Sequence, residues 1–367
     1  MKFVFITREG YREAGARVRC YNFAEKLKEK GLNSEVFSFA DRLGAKSGKD
    51  EVDFNLREKL RYVYKGFKSL SKSTDENIFI VNRFNYHTIP AWLVSKLNRL
   101  CLIFDMDDWE AREDLGYYFG CFPKSKAEYL ARLFAKDSIF CFAASHYLRD
   151  YLLQFNPEVY YIPTGCDLNR FSPSVDRNDK NFIFSWHGAL NRIELVKYLE
   201  FVINCFLILL KKHPFIRLNI AGDGMFRGEL IKLLKRYHCE NIIYKGWIDY
   251  DAIPSYLDQI DAGLIPVLDK THFNLSKCPV KLFEYMAKAK PVVASPVGEA
   301  SFVIKDSYNG FLSSDKDEFI FNMERLINDF NLVKDLGINA HNTVKLEYSL
   351  DVLGNRLYEV IRANCNI

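Results

Sequence analysis

Short apolar runs alternate with amphipathic stretches along this chain, and turn-rich polar segments separate them. Lys2 to Thr7 reads as a strand, and Tyr21 to Glu29 as a helix with Phe23, Leu27 and the aliphatic stem of Lys30 near one face. Ser34 to Phe39 alternates toward a second strand. Asn77 to Val81 (NIFIV) and Leu100 to Phe104 (LCLIF) are continuous apolar runs, the pattern of strands buried on both faces of a parallel sheet. Between them Pro90 to Leu97 predicts a helix with proline in its first turn, where the missing N–H has no partner to lose. Ile139 to Ala143 and Tyr160 to Ile162 complete a first set of strands. After Cys166 the segment DLNRFSPSVDRNDKN is polar and turn-rich and predicts a linker. The pattern then restarts. Phe182 to Ser185, Arg217 to Ala221, Ile242 to Tyr244, Ala262 to Pro266 and Pro291 to Ala294 read as strands. Helices are predicted between them at Val196 to Lys211, Phe226 to Tyr237, Ile253 to Gln259 and Lys281 to Lys288. Such alternation, run twice, predicts an α/β protein of two domains, each a parallel sheet covered by helices.

Composition agrees with two globular domains. The chain has 367 residues, 49% hydrophobic and 27% charged, enough for two cores and too apolar for disorder. The first ten residues, MKFVFITREG, turn to charge too soon for a signal peptide, so none is expected. The longest apolar stretch, Leu199 to Leu210, is broken by Glu200 and Asn204 and is shorter than the roughly 20 residues a membrane-spanning helix needs. Nine cysteines, an odd count without a CxxC pair, predict reduced thiols in a cytoplasmic protein and no metal site. The net charge of +4 resides wholly in residues 1–170, with 27 Lys/Arg against 23 Asp/Glu. That surplus is too small for a nucleic-acid partner but suits an anionic membrane or a phosphate-bearing acceptor.

One helix carries much of that basic charge. In 54–72, Leu56, Leu60, Val63, Phe67 and Leu70 recur at 4,3,4,3 spacing, while Arg57, Lys59, Arg61, Lys65, Lys68 and Lys72 face a lone Glu58. Two readings follow: a helix lying at the inner face of an anionic membrane, or a helix packed on the sheet with a solvated basic back.

Five fragments of the second half occur in a telling order: LNIAGDGM from Leu218, NIIYKGWI from Asn241, DAGLIP from Asp261, PVKLFEYMAKAKPVVASPVG from Pro279 and NGFL from Asn309. The segment IPTGCDLNRFSP from Ile162 precedes them. Together these resemble the family 4 retaining glycosyltransferases (glycosyl transferases group 1), in the variant that reads P-x-K-x-x-E-Y. The resemblance covers roughly residues 160 to 315, more loosely the rest. It implies two Rossmann-like domains facing across a cleft, the GT-B fold. The expected bounds are an acceptor domain over 1–168, a donor domain over 169–345, and a C-terminal helix over 346–367 free to cross back to the first domain. It also implies transfer from a nucleotide-diphosphate sugar to a glycan or lipid-linked acceptor, with retention and without metal or other cofactor. Two other classes stay open: a catalytically silent nucleotide-sugar-binding subunit, and an epimerase or phosphorylase of the same architecture.

The candidate site residues have their own chemistry. The helix after Pro279 should present its N-terminal amides to a phosphate, with Lys281 as a cation beside them. Glu284, three residues on, would accept two hydrogen bonds from ribose hydroxyls, the role of the matching Glu in the family; a surface ion pair with Lys281 is the alternative. Gly298 and Glu299 follow a strand, as a phosphate approach and a sugar contact or as a plain turn. His187 and Gly188 open the loop after the first strand of the second set, and Trp247 lies where the family holds the nucleobase. In the first half Gly15 and Arg17, with Arg19, resemble the family's glycine-rich loop; the alternative is a basic helix start. Asp107 and Asp108, in the run DMDDW, would orient the acceptor hydroxyl or stabilise positive charge at the sugar, Asp108 foremost. A metal-binding DxD and an acidic helix start compete with that reading. Three positions depart from the family. Ser276 replaces a sugar-contacting Glu, and Ala189 and Glu194 replace an Arg and a Lys, for which Arg192 would substitute.

Overall fold

The computed structural model describes residues 1–46, 55–109, 125–173 and 180–365. Chain contacts divide it into two compact units. One comprises Met1–Gly165, Thr271–Cys278 and Leu350–Ile367; the other comprises Cys166–Lys270 and Pro279–Ser349.

The first unit is built on six parallel strands: β1 (Lys2–Thr7), β2 (Asn33–Ser38), β3 (Asn77–Asn82), β4 (Cys101–Met106), β5 (Phe140–Ala143) and β6 (Val159–Tyr161). They lie in the order β2-β1-β3-β4-β5-β6, with Lys2 in register with both Asn33 and Asn77. Side chains alternate across a strand, so a strand with both faces covered must be apolar at every position. In β1, Phe3 and Phe5 enter one core with Phe23, Leu27, Leu353, Leu357 and Ile361; Val4 and Ile6 enter the other with Phe79, Phe104 and Phe134. The last helix, Leu350–Asn364, thus completes the core of the first unit.

The helix predicted over 54–72 forms as Leu56–Leu70, with Phe54 outside the described residues. Asn55 and Glu58 close it with a reciprocal capping box, each side chain accepting the other's backbone N–H at 3.0–3.1 Å. Its packed face differs from the predicted stripe. Gly66 is the point of closest approach, since a Cβ there would lie 2.5 Å from the Phe39 ring. That contact turns Tyr62, Val63, Phe67 and Leu70 inward and leaves Leu56, Leu60 and Tyr64 59–71% exposed.

The second unit repeats the plan with β7 (Phe182–His187), β8 (Ile216–Ala221), β9 (Ile242–Gly246), β10 (Ala262–Ile265), β11 (Val292–Ala294) and β12 (Phe311–Leu312). The order is β12-β11-β10-β7-β8-β9, again parallel where paired. Successive connections run one way from β7 to β9 and the other way from β10 to β12. The order therefore reverses between β7 and β10. In an open parallel sheet the crevice at such a reversal, beyond the carboxyl ends of the strands, is where ligands bind. Among the described residues no helix is long and apolar enough to cross a membrane.

Candidate functional site

The carboxyl end of β7 brings His187 and Gly188 to the reversal point. Three successive loops are laced there by backbone bonds: Gly188 donates to Ala221 (3.0 Å), Gly222 to Gly246 (2.7 Å) and Leu190 to Asp223 (2.9 Å). A Cβ on Gly222 would meet the Gly188 carbonyl oxygen at 2.0 Å, so a side chain has no room there. A Cβ on Gly188 would lie 2.7 Å from Nζ of Lys281, whose ammonium rests 4.1 Å from the centre of the Trp186 ring. Glycine at both positions lets two loops and a lysine close on one spot.

Lys281 and Glu284 belong to the helix Val280–Ala287, which follows β10 and starts at Pro279. Its N-terminus has no side-chain cap. Its first amides lie before the hydrogen-bond ladder begins, a setting that suits an anion. At the other end Lys288 holds Asp258 at 2.6 Å. Glu284 is 7% exposed and its Oε2 lies 2.9 Å from Nε2 of His187. Nδ1 of His187 lies 2.8 Å from the Tyr285 hydroxyl, which donates to the Ser185 carbonyl at 3.0 Å. The Ser185 hydroxyl in turn is 2.6 Å from that of Tyr256. Burial pushes the Tyr285 phenol well above its ordinary value, with Tyr256 adding to the rise, and burial lifts Tyr256 to about 12. Both keep their hydroxyl hydrogens at neutral pH. A carboxylate with one oxygen engaged retains further lone pairs for a ligand's hydroxyls.

The structure thus gathers His187, Gly188, Lys281 and Glu284. The remaining candidates of this unit share the sheet edge but stand further off. Gly298, with φ 63°, and Glu299, 1% exposed, follow β11, two strands from β7 on one side. Trp247, 58% exposed, follows β9, two strands away on the other, and its indole N–H donates to Asp249 at 3.2 Å. Arg192 immediately precedes the helix Ile193–Leu210, with Nε 3.4 Å from the Glu194 carboxylate in a largely exposed pair.

In the first unit the candidates meet a dense ionic cluster. Arg19, 1% exposed, directs its fork onto Asp105, Nε lying 2.9–3.0 Å from the two carboxylate oxygens, and also donates to the Ile162 carbonyl. Burial opposes the charge on Arg19, but Asp105 outweighs it and raises the guanidinium above its usual value. Arg83 grips Asp107 through Nε (2.6 Å) and Nη2 (3.0 Å), with Asn82 donating to Asp107 and Asp105 at 3.2 Å. Burial would lift the Asp107 carboxyl, yet Arg83 wins and holds it below the usual range. Asp107 is accordingly a held negative charge. Proton abstraction would call for a pKa nearer the working pH. Asp108 pairs with Lys277 at 2.6 Å, a residue of the segment Thr271–Cys278. Arg17 is 5% exposed and donates to the carbonyls of Tyr11 (3.3 Å) and Arg12 (3.1 Å), bracing its own loop. Gly15 sits against Arg83, where an added Cβ would lie 2.9 Å from the guanidinium. The two acids of the DxD reading are therefore each engaged by an arginine.

Three participants escaped the sequence reading. Arg83 follows an apolar run in which the eye stops at Val81, and it takes φ 60°, a strained value for a side-chain-bearing residue and common near functional sites. Lys277 lay in a polar stretch of the other half. Tyr285 closes the P-x-K-x-x-E-Y motif, which gave it no role of its own.

Residues 182–329 match the family model of the glycosyl transferases group 1. That match spans about two fifths of the chain. An α-D-kanosaminyltransferase of Streptomyces kanamyceticus is 27% identical over 176 residues, covering 47% of this chain and 44% of that protein. The Escherichia coli UDP-Gal:α-D-GlcNAc-diphosphoundecaprenol α-1,3-galactosyltransferase is 24% identical over 210 residues, covering 51% and 49%. The chain spans less than half the length of these curated relatives. A sucrose-phosphate synthase from Thermosynechococcus elongatus superposes over 100% of both chains with a TM-score of 0.79 at 14% identity. The two parallel six-stranded sheets have the fold seen in GT-B glycosyltransferase structures.

Proposed function

We propose that this chain is a group 1 glycosyltransferase that moves a sugar from a nucleotide-diphosphate sugar to a glycan or lipid-linked acceptor, with retention of anomeric configuration. The residues gathered at the reversal of the second sheet support the donor assignment. There Glu284 would hold the ribose, Lys281 and the open helix N-terminus the diphosphate, and Trp247 the base. Gly188 would leave room for the phosphates, and Gly298 and Glu299 would contact the diphosphate and sugar. The E. coli relative carries UDP-Gal in its name, which favours UDP as the first donor to try. As the glycosidic bond breaks, charge gathers on the leaving diphosphate, where fixed cations and amides stabilise it most. Asp108, with 13% of its side chain exposed against 7% for Asp107, is the better placed carboxylate for an acceptor hydroxyl once Lys277 lets go. No metal or other cofactor enters this scheme.

A thermal-shift screen with UDP-, GDP-, ADP- and CMP-sugars tests the donor class. One nucleotide should raise the melting temperature in proportion to its occupancy, and a flat response to all four would refute the reading. A second reading, a silent donor-binding subunit, draws on two observations. Arg192, the substitute for two family cations, is paired with Glu194, and the Ser276 hydroxyl turns back to the Phe273 carbonyl at 2.9 Å. Nucleotide release from the bound donor supports the enzyme; tight binding without release supports the silent subunit.

The acceptor reading extends to a membrane surface. Leu56, Leu60 and Tyr64 form an exposed i, i+4, i+8 row beside the exposed Arg57, Arg61 and Lys68. Such a row suits peripheral contact with the anionic inner face of a membrane, where a lipid-linked acceptor for a surface polysaccharide or glycolipid would be met. Vesicles with anionic lipid should bind the protein and release it between low and physiological salt; binding that ignores salt or lipid charge counts against it.

A further inference from the structure

Glu284 is buried, and the group that fixes its carboxylate is His187. Tyr285 donates its hydroxyl hydrogen to the Ser185 carbonyl at 3.0 Å, and its oxygen lies 2.8 Å from Nδ1 of His187. Nε2 of the same ring lies 2.9 Å from Oε2 of Glu284. The imidazole therefore bridges the phenol and the carboxylate, one nitrogen to each.

We propose that His187 is a positioning residue for the donor site: a ring braced by the Tyr285 hydroxyl that sets the Glu284 carboxylate in the orientation in which it receives the ribose hydroxyls. The proposal rests on the donor reading above and gives His187 no contact with the sugar or phosphates. The pair sits at the carboxyl end of β7, and its supports come from three elements. Tyr285 and Glu284 share the helix Val280–Ala287, Ser185 lies two residues back on β7, and Tyr256 closes the far end from the helix Ile253–Leu257. The Tyr285 ring packs on the bare backbone of β10, where a Cβ on Gly263 would meet it at 2.5 Å. The relay is therefore anchored before any ligand arrives, as a preorganised site requires.

Two amide substitutions separate its two bonds. His187→Gln places an N–H near the position of Nε2 and keeps the bond to Glu284; His187→Asn reaches only the position of Nδ1 and keeps the bond to Tyr285. UDP binding is measured by calorimetry on the full chain, with melting temperatures as a check of folding. His187→Asn should weaken UDP about tenfold, the loss of one charge-assisted hydrogen bond, and His187→Gln should restore most of it. A folded Asn variant that binds UDP like the parent, or Gln and Asn variants equally impaired, would each overturn the proposal. UDP binding that is absent, or indifferent to Glu284→Ala, would instead sink the donor reading and this proposal with it.

Discussion

Replacing Arg19 with Met should destabilise the first unit by about 3–5 kcal/mol, the range for breaking a buried ion pair on one side. The guanidinium fills a fully enclosed space and forks onto Asp105, while also reaching the carbonyl of Ile162. One side chain thereby joins the segment after β1 to the end of β4 and the chain beyond β6. Methionine matches its length but offers no donor, so the Asp105 carboxylate is left buried with Asn82 as its remaining neutral donor. Ionised it lacks a counter-charge, and neutral it must take up a proton at a cost. Hydrogen exchange of the β1 and β4 amides reports on this unit alone: protection should fall by several orders of magnitude, roughly one per 1.4 kcal/mol. The double replacement Arg19→Met, Asp105→Leu should recover much of the loss, because two apolar groups leave nothing unpaired. Unchanged protection in the single variant would show that the cluster is not what holds these strands.

Glu284→Ala should have the largest effect on ligand binding. On the proposed donor reading, two charge-assisted hydrogen bonds from the ribose disappear together, and His187 loses its 2.9 Å carboxylate partner. UDP affinity should fall about 100-fold or more, counting at least about 1.5 kcal/mol for each bond. The backbone should tolerate the change, since alanine suits the middle of a helix. Calorimetry with UDP and a melting curve on the same sample separate the two effects. Lost binding in a folded protein is the expected outcome; lost binding with lost folding would make Glu284 a structural residue.

The sheets were legible because a strand buried on both faces leaves no choice of residue. NIFIV and LCLIF can be little else in a chain that alternates with helical patterns, and the observed strands agree to within two residues. The two-residue β12 was not legible, being too short to carry a pattern. The helix bearing Lys281 and Glu284 was readable from a proline followed by an i,i+3 pair, and the structure places both residues on it. Their supports were not readable, because those contacts join residues far apart in the chain. Glu284 meets His187 across 97 positions, Arg19 meets Asp105 across 86, and Lys277 meets Asp108 across 169. Sequence spacing predicts neighbours on one helix or strand; it is silent on which loops the topology brings to the same edge. The acidic run DMDDW shows the consequence. Three carboxylates in four residues advertise chemistry, yet Arg19, Arg83 and Lys277 each take one, and two of those three basic residues had drawn no notice. Gly66 makes the same point for packing: a residue without a side chain set the inward face of its helix, and a pattern of apolar letters passes over it.

The account stands on a pentose held by Glu284 at the mouth of the helix Val280–Ala287. A double-mutant cycle addresses that contact alone: the affinities of UDP and of its 2′,3′-dideoxy analogue, each measured with the parent protein and with Glu284→Ala. The parent should prefer UDP by at least about tenfold, and the variant should bind both equally, because the hydroxyls and the carboxylate matter only to each other. A preference for UDP that survives intact in Glu284→Ala would place the ribose elsewhere and contradict the assignment.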